Sequence, residues 1–231
     1  MYDTVNIISH TTPYKTLQAN GVLTCEDLIA YCARVSNPSN ELNTATYDKL
    51  VKYLIKHKHW SPLEQVSITL EIICTRDIGR QILRHDFYPQ EFSQRYADPL
   101  SVHFLGFEIS EFRLEDPDNR QNSIEVDPSD PRVQEWIDDQ VRVTDFVTEM
   151  YRKWREQGLA KEQARKIFPE GLTKSRMHLK ATVRDWFFWC IVRLNKATQK
   201  EHRMVAEQAI EKLKEICPNI FSDSMLSEHA F

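Results

Sequence analysis

Residues 84–96 read Arg84-His85-Asp86-Phe87-Tyr88-Pro89-Gln90-Glu91-Phe92-Ser93-Gln94-Arg95-Tyr96, and the run that delivers them, Val66 to Ile73, alternates apolar with polar side chains. Val66, Ile68, Leu70 and Ile72 against Ser67, Thr69 and Glu71 have the period of a strand with one buried face. The strand feeds a helix expected over Asp77 to His85, where the i, i+3, i+4 spacing of Gln81, Arg84 and His85 sets them on one face. Further on, Glu91, Ser93 and Arg95 alternate with Phe92, Gln94 and Tyr96, so an extended chain aims the first three at one side. No apolar core needs this mixture. It reads as a helix running into a loop that gathers guanidinium forks, a carboxylate and a hydroxyl around one anionic, planar ligand.

Working outward, Val5 to Ser9 is a β-rich first strand, and Thr24 caps a helix from Cys25 to Arg34 that Pro38 cannot extend. A second helix begins at Asn43 or Thr44, with Tyr47, Leu50, Val51 and Leu54 on its apolar stripe and Lys49, Lys52 and Lys56 opposite. Phe104 to Phe112 is β-like, and the acidic stretch Glu115 to Asp130 reads as an exposed loop. Val133 to Gln157 forms a long helix lined on one side by Trp136, Val143, Val147, Met150 and Trp154, and closed by Gly158. A short helix over Lys161 to Phe168 carries Arg165, Met177 to Val183 is strand-like, and the aromatic helix Asp185 to Arg193 has Arg184 and Arg193 at its ends. Thr198 to Ile216 closes the series as an amphipathic helix. Strands and helices mix without regular βα alternation, so the fold class is α+β, in one domain over residues 1–231. The aromatic helix is more apolar than a monomer of this size covers, which points to oligomerisation through helices.

Thirty basic and thirty-four acidic residues give a net charge of −4, which argues against general nucleic-acid or anionic-membrane binding. The five cysteines are odd in number, scattered and without a C-x-x-C pair, so they read as reduced cytosolic thiols and not as a disulfide framework or zinc site. With no signal-peptide pattern and no apolar run near ~18 residues, the expected location is the cytoplasm. Five glycines are too few to build a G-x-G-x-x-G turn or a P-loop, and neither motif occurs. A dinucleotide would be held by side chains and helix ends. His57-x-His59 lacks the two further ligands a metal needs, so no metal is expected. Arg84, Arg95, Arg165, Arg184 and Arg193 form a cationic set suited to a nucleotide, since a guanidinium can fork onto phosphate and can also stabilise a deprotonated ring nitrogen.

The stretch resembles the signature of the flavin-dependent thymidylate synthases: Arg84-His85, then Gln90 to Tyr96, with Gln81 upstream. Further matches follow in order at Ala33-Arg34-Val35-Ser36, His59-x-Ser61-Pro62-x-Glu64, Ala164-Arg165, Thr182 to Trp186, Arg193, and Thr198-Gln199-x-Glu201-His202. Asn119 to Ser123 is similar to viral members. The resemblance implies a mixed sheet with flanking helices in a homotetramer, and conversion of dUMP to dTMP with FAD, methylenetetrahydrofolate and NADPH. It assigns Arg193 to the N3-ionised uracil, and Ser93, Gln94, Arg95 and Arg165, helped by Gln81 and Arg84, to dUMP. Ser36, Ser61, Glu64, Arg84, His85, Glu91 and Arg184 would contact FAD, Glu91 with a share in the substrate, and His59 would flank flavin and folate. Two departures stand out: Asp86 replaces the motif's second arginine in a loop one residue short, and Phe188 replaces an asparagine. Those departures leave open a different pyrimidine nucleotide, a different C5 product, or a non-catalytic nucleotide-binding homologue.

Overall fold

The computed structural model describes residues 4–100 and 106–229. The chain opens with β1 (Val5–His10), α1 (Lys15–Gln18), α2 (Cys25–Ala33) and α3 (Tyr47–Lys56), followed by β2 (Ser67–Thr75), α4 (Arg76–Ile82) and β3 (Tyr88–Glu91). It continues through β4 (Arg113–Glu115), β5 (Ser123–Glu125), α5 (Pro131–Glu156) and α6 (Lys161–Ala164), then β6 (Lys174–Thr182), α7 (Val183–Arg193), α8 (Lys200–Ile216) and α9 (Asp223–His229). The class is α+β, as the sequence indicates.

Four strands form a sheet in the order β1-β2-β6-β3. β1 runs antiparallel to β2, with Val5 opposite Ile72 and His10 opposite Ile68, and the register slips between Ile7 and Ser9. β2 and β6 are also antiparallel: Val183 N–H donates to Val66 O at 2.9 Å and Arg76 N–H to Thr173 O at 3.0 Å. Ile68, Leu70 and Ile72 are fully buried, as the alternation in β2 requires.

The chain divides into two compact units. One comprises the residues up to Ile72, Leu83–Pro89 and the residues from His178; the other comprises Ile73–Ile82 and Gln90–Met177. In the first, Thr182 caps α7 in a reciprocal capping box with Asp185, and Thr24 caps α2 likewise with Asp27. Trp186, Phe187 and Trp189 are at most 1% exposed, and the Trp186 indole N–H donates to Ile68 O at 3.0 Å. The aromatic face of α7 is therefore covered within the chain, and the sequence argument that it needs a partner subunit is corrected.

In the second unit the buried stripe of α5 is Gln140, Thr144, Val147 and Tyr151. Trp136, Val143 and Trp154, expected inside, are 40%, 45% and 44% exposed. Gln140 occupies the interior because its amide is fully engaged, accepting from Ser110 N–H and Oγ and donating to the carbonyls of Ser110 and Trp136. Asp130 caps α5, and Gly158 (φ +87°) ends it. The acidic stretch after Glu115 is not all loop: Ser123–Glu125 pairs antiparallel with Arg113–Glu115 as an exposed hairpin. Of the run Phe104 to Phe112, the first two residues lie outside the described residues, and the remainder makes only an isolated bridge, Phe107 to Thr173.

Two corrections bear on the site. α4 stops at Ile82, so Arg84 and His85 follow it in turn and bend and do not share a helical face with Gln81. Phe87 explains the stop: its ring packs 4.5 Å from Trp186, and burying it draws the chain out of helix. The extended segment ends near Ser93, whose carbonyl accepts from the N–H of both Tyr96 and Ala97, so Arg95 sits in a turn.

Candidate functional site

In the first unit, α7 fixes two arginines. Nine residues of helix rise about 13.5 Å and turn about 2.5 times, which puts Arg184 and Arg193 on opposite sides of its axis. Arg184 pairs with Glu64 and lies 5.7 Å over the Phe188 ring. Arg193, at the other end, donates from Nε and Nη2 to Nε2 of His85 at 3.0 and 2.7 Å. His85 is therefore a neutral acceptor. Burial, then the Arg193 cation, lowers its pKa, while Asp86 pulls weakly the other way. Burial and then Arg84 lower the pKa of Arg193 itself. His202, fully buried in α8, has its pKa pulled down to about 3 by burial, then Arg193 and His85. Arg84 is exposed and forms no ion pair among the described residues.

His59 owes its position to the end of α3. Lys58 N–H donates to Ile55 O and His59 N–H to Leu54 O, closing a Schellman motif whose left-handed position holds Lys58 (φ 58°) and not glycine. The 3₁₀ turn Ser61–Gln65 follows, with exposed Ser61 and Glu64. Trp60 packs at 4.9 Å against Phe188 and 5.9 Å from His229. A cavity of about 450 Å³ opens there, lined by Lys56, Lys58, Trp60, Phe188 and His229. Ser36 is exposed in the turn after α2, beside buried Arg34, whose guanidinium is spent on Asn40 O, Asn43 O and Thr46 Oγ1.

In the second unit Glu91 is held by Arg76 at 3.1 Å and by Ser175 Oγ at 2.8 Å. Arg95 pairs with Glu162 at 3.2 Å, and Lys161 donates to Tyr96 O at 2.7 Å, which brings Ser93, Gln94 and Arg95 to the helix preceding Arg165. Gln94 is 5% exposed. Gln81 lies in α4, whose Arg80 pairs with Glu170 at 2.9 Å. Arg76, Lys161, Glu162 and Ser175 were not singled out from sequence, because their roles arise from pairings 15 to 84 positions apart.

Among the described residues, no group of three or more His, Cys, Asp or Glu side chains is disposed to hold a metal ion. Nor is any helix among them long and apolar enough to cross a membrane. The donor chemistry fits a flavin nucleotide: exposed guanidiniums for phosphate, Arg193 without a carboxylate partner among the described residues, and aromatic faces at Trp60 and Phe188.

Comparison with known proteins agrees. The sequence profile described as thymidylate synthase complementing protein (Thy1) matches residues 22–219, and the chain belongs to that family. Over 215 residues it is 40% identical to a probable flavin-dependent thymidylate synthase of Paramecium bursaria Chlorella virus 1, covering 93% of this chain and 95% of that one. It is 42% identical over 204 residues to the flavin-dependent thymidylate synthase of Synechocystis sp., covering 87% and 90%. The fold matches the crystal structure of the UMP/dUMP methylase PolB from Streptomyces cacaoi bound with 5-Br dUMP, with TM-score 0.75, 20% identity, and coverage of 97% and 94%.

Proposed function

We propose that this chain is a flavin-dependent thymidylate synthase that reductively methylates dUMP to dTMP, with methylenetetrahydrofolate as carbon donor and NADPH as reductant. The observation that carries the reading is identity of 40–42% over most of the chain to two proteins named for that activity. The bound FAD would supply the hydride chemistry.

The chain's own residues bind and polarise. Arg193, with its cation opposed only by neutral His85, would stabilise uracil ionised at N3 and so enrich C5 in electron density. Ser93, Gln94, Arg95 and Arg165 would hold the phosphate and sugar of dUMP, with Gln81 and Arg84 assisting. Ser36, Ser61, Glu64, Arg84, His85 and Arg184 would hold FAD, and His59 would flank the flavin and folate. Glu91 would act from its seat on Arg76 and Ser175. We assign the whole to one catalytic domain in a cytoplasmic homotetramer; the exposed apolar side chains of α5, Trp136, Val143, Phe146 and Trp154, support assembly through that helix.

The test is FAD titration of the purified protein, followed by visible absorbance with and without dUMP. A flavin spectrum perturbed by dUMP supports the reading. A protein that stays colourless after dialysis from excess FAD overturns it.

A further inference from the structure

The cavity beside Trp60 is lined by four charged or titratable side chains that none of these assignments uses: Lys56, Lys58, Glu228 and His229. Its volume of about 450 Å³ falls within the roughly 300–1,000 Å³ range of small-ligand sites, and all its lining residues lie in the first unit. Ser61, Glu64 and Arg184, assigned above to FAD, do not line it. Two of its walls are particular to this chain. Glu228 and His229 come from α9, beyond the residues 22–219 that the family profile matches, and Phe188 stands where the resemblance leads one to expect asparagine.

The α9 wall is anchored. Leu226 is 4% exposed, Lys214 Nζ reaches Asp223 at 2.8 Å, and the His229 ring stands edge-on to Trp60 at 5.9 Å and to Phe187 at 5.6 Å. Nδ1 of His229 donates to Met225 O at 2.9 Å, which leaves Nε2 an acceptor. At the end of α3, the N–H groups of His57, Lys58 and His59 occupy the carbonyls of Tyr53, Ile55 and Leu54, so neither lysine side chain is needed to close that helix. Lys56 and Lys58 are exposed, and neither ammonium makes an ion pair or hydrogen bond among the described residues. The exposed Glu228 carboxylate is likewise unpaired among them.

These groups together ask for one kind of ligand. Aromatic walls suit a flat ring, two compact ammonium charges suit phosphate oxygens, and a carboxylate accepts from an exocyclic amino group. An uncharged aromatic molecule would leave both lysines and Glu228 unused, and inorganic phosphate would leave the rings unused. We propose that this cavity is a binding site for an adenosine phosphate, with the adenine ring against Trp60 and His229, its amino group donating to Glu228, and the phosphate paired with Lys56 and Lys58. Two sources supply that chemistry: the adenosine end of a nicotinamide coenzyme, and a free adenine nucleotide. Only the first, which would dock the reductant named above, rests on the proposed activity.

The test is isothermal titration of the full-length protein with adenosine 2′,5′-bisphosphate and with adenosine 5′-diphosphate, without and with excess FAD. At least one of the two should bind saturably, once per chain, and adenosine itself should bind at least about tenfold more weakly, as loss of a charge-assisted contact requires. Lys56→Gln and Lys58→Gln should each weaken binding about tenfold, and Lys52→Gln, on the same helix but outside the cavity, should leave it unchanged. Preference for the bisphosphate assigns the nicotinamide coenzyme, and preference for the diphosphate assigns the free nucleotide. No saturable binding of either, affinities unaltered in both cavity-lysine variants, or binding that excess FAD abolishes would overturn the proposal. The comparison with adenosine is made on wild-type protein, so it decides even where a variant fails to fold. A protein that makes no dTMP can still give the expected titration, so failure of the activity and failure of the site are read apart.

Discussion

Arg193 donates two hydrogen bonds to the single Nε2 of His85, at 3.0 and 2.7 Å. The pair joins the end of α7 to the turn after α4, and it leaves the guanidinium with a full positive charge and no carboxylate partner among the described residues. In a site excluding water, such a donor is worth most where negative charge develops. Arg193→Ala should lower kcat for dTMP formation by at least about 100-fold. The melting temperature should stay near that of the wild type, because Arg193 is the last residue of its helix. Retained turnover would remove Arg193 from its assigned role.

His202 makes stability depend on pH. Its pKa is about 3 in the folded chain against an ordinary 6.5, so below pH 6.5 the unfolded chain binds the additional proton. The contribution is fully present above about pH 6.5 and is lost as pH falls towards 3, by up to about 1.4 kcal/mol per pH unit. His202→Gln should flatten the pH dependence of urea denaturation between pH 6.5 and 5. Parallel pH profiles for variant and wild type would count against a buried neutral imidazole.

Lys58 adopts φ 58° at a position that ordinarily takes glycine. Lys58→Gly should therefore stabilise the protein by about 0.5–1 kcal/mol while leaving the hydrogen bond from His59 N–H to Leu54 O in place. Denaturation midpoints check the first statement, and amide exchange at His59 the second. A destabilised Lys58→Gly protein would show that the side chain, not the backbone, matters there.

Asp86 is exposed beside His85, where the family resemblance leads one to expect arginine. Asp86→Arg should change stability by less than about 0.5 kcal/mol, as surface exchanges do. If the neighbouring ligand is an anion, binding of FAD or dUMP should tighten about tenfold or more, since a charge-assisted hydrogen bond contributes about 1.5–3 kcal/mol. Isothermal titration with each ligand measures it. Unchanged affinities for both would place residue 86 away from the anion.

Much of this was legible in the sequence. The cap at Thr24, the alternation of β2 and the apolar stripe of α8 depend on local spacing, and each appears where spacing sets it. What escaped was decided by distant partners. α4 stops early because Phe87 is buried on Trp186, and the interior of α5 includes Gln140 because Ser110 saturates its amide. The exposed face of α5 misled for the complementary reason, since large apolar side chains there satisfy a helical period without being covered. Within the site, the candidacy of Arg193, His85, Ser93 and Arg95 could be read. The pairing of Arg193 with His85 and the seat of Glu91 on Arg76 and Ser175 could not.

The most direct measurement is product analysis by mass spectrometry after incubating the FAD-loaded protein with dUMP, methylenetetrahydrofolate and NADPH. The account predicts dTMP, lost on omission of the folate or on Arg193→Ala. Unchanged dUMP under the complete mixture, from protein that has retained bound flavin, would contradict it.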